Sequence, residues 1–146
     1  MKKSSFSKIS TAVILAAGMG IRLRNVIGVC PKGLLEIDGK SLIIRSLERL
    51  KKEGIDRVVM VTGFQKTMYH KHLRHETSLP DIEFIHSSRF AETGSMHSLF
   101  VAQDVLLDDF LLLESDLLYE SRALPSVMNY DGPDVLLASG KTGSND

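Results

Sequence analysis

Several stretches of the chain carry side chains whose types and spacing could do chemistry. Leu15-Ala16-Ala17-Gly18-Met19-Gly20-Ile21-Arg22 joins small, flexible backbone to a cation. Small residues let backbone N–H groups approach a phosphate or a base edge, and Arg22 offers a forked donor to phosphate oxygens. Taken alone, the pattern reads more readily as a tight strand-to-helix turn with a solvated arginine. Phe110-Leu111-Leu112-Leu113-Glu114-Ser115-Asp116 ends the most apolar run of the chain on acids. A carboxylate there is well placed to hold Mg²⁺, a hard cation that takes oxygen ligands and bridges phosphates. Glu114 also reads as a supporting partner, or simply as an acid on a sheet rim. Ser87–Leu99 is polar, follows an apolar run and opens a helix, so Thr93, Gly94 and Ser95 could present free N–H groups to an anion or a base edge. Ser95 also reads as an ordinary N-cap. In Tyr69-His70-Lys71-His72-Leu73-Arg74-His75, only His72 and His75 share a helical face, since His70 and His72 diverge by about 200°. A solvated face is the better reading there than a metal site, and Cys30 is read as incidental.

The elements that must position these residues follow from hydrophobic periodicity. Ala12–Leu15, Val58–Val61, Ile82–Ile85, Phe110–Leu113 and Val135–Ala138 read as strands, with Phe110–Leu113 central. Leu42, Ile43, Leu47 and Leu50 fall on one helical face, and Gly54 follows as a left-handed cap. Residues 65–74, 96–104 and 121–129 read as further helices, the second with Met96, Leu99, Phe100 and Gln103 at helical spacing. Asp38-Gly39 is a turn. Alternating strands and helices predict an α/β fold, a mostly parallel sheet with helices on both faces. Such sheets bind ligands at the carboxyl ends of their strands, near the point where strand order reverses, and the chemically interesting loops all follow strands.

Composition narrows the classes. The chain has 146 residues, 18 basic and 18 acidic side chains, one cysteine and 6% aromatics without tryptophan. That length suits one domain. Zero net charge gives no sequence-wide electrostatic case for nucleic acid or an anionic membrane. A lone cysteine excludes an internal disulfide framework and suits a reducing, cytoplasmic setting. No apolar run approaches the ~20 residues of a membrane span. Met1-Lys2-Lys3 with Ala12–Ala17 imitates a signal peptide, but Gly18 and Gly20 interrupt it and arginines follow. Residues 1–10 read as a disordered tail ahead of a domain over 11–146. Two familiar phosphate loops are absent: a dinucleotide fingerprint needs glycine where Leu23 stands, and a Walker loop ending on Gly140-Lys141-Thr142 needs one where Val135 stands.

Residues 12–42 resemble the signature of the nucleotidyltransferase superfamily that activates sugar phosphates and phospho-alcohols with nucleoside triphosphates. After the first strand come Leu15–Arg22 as L-A-A-G-x-G-x-R, Pro31-Lys32-Gly33-Leu34 as P-K-x-L, and Asp38-Gly39-Lys40-Ser41-Leu42 as the D-G-x-S-L turn. The resemblance implies a Rossmann-like, nucleotide-diphospho-sugar transferase-like fold. It implies that Gly18 and Gly20 cradle the nucleotide while the backbone of Leu15, Ala16, Ala17 and Gly18 reads the base. Arg22 would grip the β- and γ-phosphates, Lys32 would stabilise charge at the α-phosphate, and Asp116 would hold Mg²⁺. The Thr93-Gly94-Ser95-Met96-His97-Ser98-Leu99 and Leu113–Glu120 segments look most like the CTP-using branch, which includes 2-aminoethylphosphonate and phosphocholine cytidylyltransferases. Glu92 or Glu120 could meet a substrate ammonium.

The activity so implied is transfer of CMP from CTP to a small phosphonate or phosphate ester, 2-aminoethylphosphonate before phosphocholine, with no role for nucleic acid or membrane and a homodimer left open. The alternatives are a sugar-1-phosphate nucleotidyltransferase using UTP, GTP or dTTP, and a non-catalytic nucleotide-sensing domain. The resembled fold continues past the segment matched here, so residues 11–146 are expected to be the N-terminal, nucleotide-binding part of a longer fold.

Overall fold

The computed structural model describes residues 9–21, 28–138 and 140. Residues 1–8 of the tail predicted over 1–10, Arg22, and Lys141-Thr142 of the Gly-Lys-Thr string lie outside the described residues. β1 (Thr11–Ala16) is followed by a short 3₁₀ turn at Lys32–Leu34 and a small hairpin of β2 (Glu36–Ile37) and β3 (Lys40–Ser41). Then come α1 (Leu42–Lys52), β4 (Arg57–Thr62), α2 (Lys66–Leu73), β5 (Asp81–His86), α3 (Ser95–Val101), a 3₁₀ turn at Gln103–Val105, β6 (Phe110–Glu114) and α4 (Ala123–Met128). The main sheet is four-stranded and parallel in the order β5-β4-β1-β6. From β1 the chain steps outward to β4 and β5, then returns to lay β6 on the other side of β1. The strand order therefore reverses between β1 and β6.

The period of two along the strands divides the core into two layers. Ala12, Ile14 and Ala16 of β1 with Val58 and Met60 of β4 meet Ile43, Leu47 and Leu50 of α1, Tyr69 and Leu73 of α2 and Leu124 of α4. Val13 and Leu15 with Val59 and Val61 face the other way, onto Leu99 of α3 and Ala102. Helices thus cover both faces. Local signals fix the ends of α1. The Ser41 hydroxyl accepts from the Ile44 amide (3.4 Å) as its N-cap, and Gly54 takes the left-handed conformation at φ +87° after it. Asp38 (φ +50°) and Gly39 (φ +73°) form the two-residue turn of the β2–β3 hairpin, the geometry that Asp-Gly favours.

The structure corrects four expectations. Val135–Ala138 is not a strand: it joins no ladder, and Leu136 is 89% exposed. An apolar run becomes a strand only where a neighbouring strand takes up its N–H and C=O groups, and among the described residues β6 has a partner on its β1 side alone. For the same reason β6 is the outer strand of this sheet and not its centre. The helix expected over 96–104 ends at Val101 and is followed by a separate 3₁₀ turn. On the helix Met96 and Phe100 point outward, as does Gln103 on the turn, while Ser98 is buried and Leu99 packs on the core. Gly94, not Ser95, is the N-cap of α3, so Ser95 is the first helical residue.

Candidate active site

The carboxyl ends of β1 and β6 flank the point of strand-order reversal, where open parallel sheets form their crevice. Continuing from β1, Ala16 and Ala17 are buried, and Gly18 is the first exposed residue. Two carbonyls of this stretch are held inside the fold. The Leu15 carbonyl accepts from the Ser115 amide (3.0 Å) and the Ala17 carbonyl from the Phe64 amide (3.3 Å). Gly18 stands in open space, where a Cβ would meet nothing within 4 Å. Gly20, at φ +59°, is tied to its conformation, and its α-carbon lies against the stem of Lys32, whose Cγ would be 3.1 Å from an added Cβ. The glycine loop and the Pro31-Lys32-Gly33 turn are therefore packed together.

Lys32 Nζ is ion-paired and hydrogen-bonded to Asp116 Oδ2. The two are 84 positions apart in the chain, and the structure brings both predicted charges together at the crevice. Their side chains are 36% and 27% exposed, shielded enough to hold a geometry yet open to a ligand. Lysine can neutralise phosphate charge and aspartate can share a cation with phosphate oxygens; paired, each also compensates the other. Among the described residues no three His, Cys, Asp or Glu side chains converge. A transition-metal site built wholly from protein is thus not formed there. The donor set does fit Mg²⁺, which is commonly held by one or two carboxylates with substrate phosphates and water completing its shell. Glu114, at the end of β6, is exposed.

The 87–95 loop borders the same end of the sheet. The Ser87 amide donates to the Thr62 carbonyl (2.8 Å). A Cβ on Gly63 would stand 2.5 Å from Phe90 Cβ and 2.9 Å from the Ala17 carbonyl oxygen. Gly63 thus lets the β1 loop and the 87–95 loop close on each other, a role its sequence position as a strand terminator did not reveal. Gly94 has extended backbone and open space around it. The Thr93 hydroxyl donates to the Arg89 carbonyl (2.7 Å), and Arg89 pairs with Glu92 (3.3 Å). Three other residues singled out in the sequence have partners of their own. His70 stacks on Phe84 (3.9 Å between ring centroids), His72 Nε2 is 2.8 Å from the Ser41 hydroxyl, and Glu120 pairs with Arg122 (2.6 Å).

The chain is similar to several known proteins. It is 32% identical over 110 residues to a UTP–glucose-1-phosphate uridylyltransferase of Haloferax volcanii, covering 75% of this chain and 44% of that protein. With a choline-phosphate cytidylyltransferase of Haemophilus influenzae it shares 32% identity over 101 residues, 69% of this chain and 42% of that one. Its fold superposes on the inositol-1-phosphate CTP transferase of T. maritima with a TM-score of 0.73 at 27% identity, covering 86% of this chain and 51% of that one. The chain thus spans about half, or less, of the length of these relatives. The sequence profile of one family matches residues 12–141, which takes in the glycine loop, Lys32, Thr93–Ser95 and Asp116, and by that match the chain belongs to the MobA-like NTP transferase domain family.

Proposed function

We propose that this chain is the nucleotide-binding part of a cytidylyltransferase that joins CMP from CTP to a small phosphonate or phospho-amino alcohol, 2-aminoethylphosphonate before phosphocholine, and releases pyrophosphate. The observation that carries the reading is the Lys32–Asp116 pair beside the Gly18–Gly20 loop at the carboxyl ends of β1 and β6. In the reaction an oxygen of the acceptor's phosphonate or phosphate attacks the α-phosphorus of CTP. The bond to the α–β bridging oxygen breaks, and its electron pair leaves with pyrophosphate. No covalent enzyme intermediate is required, so the protein's task is alignment and charge neutralisation.

In this reading Gly18 and Gly20 let the triphosphate lie close to the backbone, with the 15–18 stretch and Thr93–Ser95 facing the base. Lys32 meets the charge that builds on the α-phosphate during in-line attack. Arg22 is assigned to the departing phosphates. Mg²⁺ held by Asp116 would supply charge neutralisation across the phosphates. CTP is favoured over UTP by the 93–99 and 113–120 segments and by relatives named as a cytidylyltransferase and a CTP transferase. The uridylyltransferase relative keeps a sugar-1-phosphate acceptor with UTP as the second reading. The deciding experiment is a pyrophosphate-release screen of the full-length protein with Mg²⁺, pairing CTP, UTP, GTP and dTTP with 2-aminoethylphosphonate, phosphocholine and hexose 1-phosphates. Release with CTP and 2-aminoethylphosphonate is expected. Preference for UTP with a hexose 1-phosphate would replace this reading by the second, and nucleotide binding without any release would make the domain a sensor.

A further inference from the structure

Tyr69 sits in α2 and is 1% exposed, its ring packed in the core layer beneath the sheet. A buried phenol needs a partner for its hydroxyl, and this one reaches past the core to the crevice. Its O–H donates to Ser115 Oγ (3.4 Å), and the backbone of Gly33 packs on the same oxygen, so that a Cβ there would stand 2.7 Å from it. That Cβ would also be 2.9 Å from the Ser115 carbonyl oxygen. Gly33 directly follows Lys32, and Ser115 directly precedes Asp116. The hydroxyl is therefore wedged between the two turns that carry the paired charges. Ser115 is fixed from its other side as well, because its amide donates a hydrogen bond to the Leu15 carbonyl.

We propose that Tyr69 is a positioning residue whose hydroxyl sets the separation of the Lys32 turn and the Asp116 loop, and with it the meeting of ammonium and carboxylate. Its hydroxyl acts through Gly33 and Ser115 and meets neither nucleotide nor acceptor. The absence of a side chain on Gly33 belongs to the same device, since any Cβ would push the Lys32 turn off the phenol and off Ser115. Only the catalytic consequence of this inference rests on the cytidylyl-transfer reading; the bracing itself is independent of it.

Two measurements on the full-length protein separate these levels. Tyr69→Phe keeps the ring in the core and deletes only the wedge. Amide exchange at Ser115, Leu34 and Leu35, whose N–H groups bond Leu15, Pro31 and Lys32, should rise about tenfold, while Val59 in the central strand β4 is unchanged. In pyrophosphate release, kcat should fall about 10–100-fold with the KM for CTP within about threefold, the mark of misplaced groups with intact binding. Gly33→Ala should reproduce both effects from the opposite side. Unchanged exchange at Ser115 and Leu34, or a rise shared equally by Val59, would overturn the bracing. Normal kcat in an otherwise active enzyme would overturn its catalytic consequence. If the unsubstituted protein releases no pyrophosphate from any nucleotide, the functional reading fails and the exchange result alone decides whether Tyr69 braces the two turns.

Discussion

At the residue scale the Lys32–Asp116 pair separates two kinds of contribution. Neither side chain is fully buried, and a pair so exposed to solvent contributes about 0–1 kcal/mol to stability. In the proposed reaction its part is to place charge. Lys32→Ala should therefore lower kcat by about 10²–10³-fold or more while the CTP dissociation constant changes by less than about tenfold, because charge at the α-phosphate grows mainly in the transition state. Weak binding with near-normal turnover would assign Lys32 to ground-state affinity instead. Asp116→Asn should abolish Mg²⁺-dependent turnover while the melting temperature moves by no more than about 3 °C. Normal Mg²⁺ dependence in that variant would show that Asp116 is not a ligand. Both residues were legible in the sequence because each stands in a local motif with a strand before it. Their mutual contact was not, and neither was the Tyr69–Ser115 contact across 46 positions. A buried hydroxyl wedge is a property of packing, and the sequence offers only an unremarkable Tyr in a helix and a Gly after Lys.

At the scale of elements, the strongly periodic segments were the readable ones. β1, β4 and α1 each bury an almost unbroken apolar face, so pattern and packing agree. α3 shows where they part: its apolar spacing at Met96 and Phe100 faces outward, and the element is held by Leu99 and Ala102 on the second core layer. Residues 135–138 have strand composition but no ladder, because composition cannot supply the neighbour that a strand requires. Tertiary burial also gives α2 and the loop after β6 a pH dependence. Tyr69 and Tyr119 both have phenol pKa values raised above the ordinary tyrosine value, chiefly by burial. A raised value means that the folded state favours the neutral phenol. The corresponding stability is complete below about pH 10 and is lost as pH rises through the folded-state values. Denaturant midpoints should accordingly hold level from pH 7 to about 10 and then decline, and Tyr69→Phe should decline less steeply. Equal alkaline slopes for the two proteins would remove Tyr69 from that account.

At the scale of the whole molecule, the strand order decides which distant segments become neighbours. Laying β6 beside β1 sets Asp116 against the turn that carries Lys32, and the small residue at 63 lets the 87–95 loop close on Ala17. The α/β class was readable from alternating periodicity. The order itself was not, since it depends on which strand edges pair. Most of the segments assigned to the nucleotide lie within this one sheet's carboxyl end, although the chain spans only 44% of the uridylyltransferase it resembles. Nucleotide recognition should consequently be measurable on these 146 residues alone. CTP with Mg²⁺ at about one hundred times its dissociation constant adds about 2.7 kcal/mol, which for a domain of this size raises the melting temperature by roughly 5–10 °C. UTP, GTP and dTTP at the same concentration should raise it less, because the backbone of the 15–18 stretch and the 93–95 segment would read the base edge while the phosphate contacts are common to all. Lys32→Ala should keep most of the CTP shift, as expected of a group that acts on developing charge. Equal shifts from every nucleotide would mean that this part of the molecule holds the triphosphate without reading the base, and a larger shift with UTP would move the assignment to the sugar-phosphate reading.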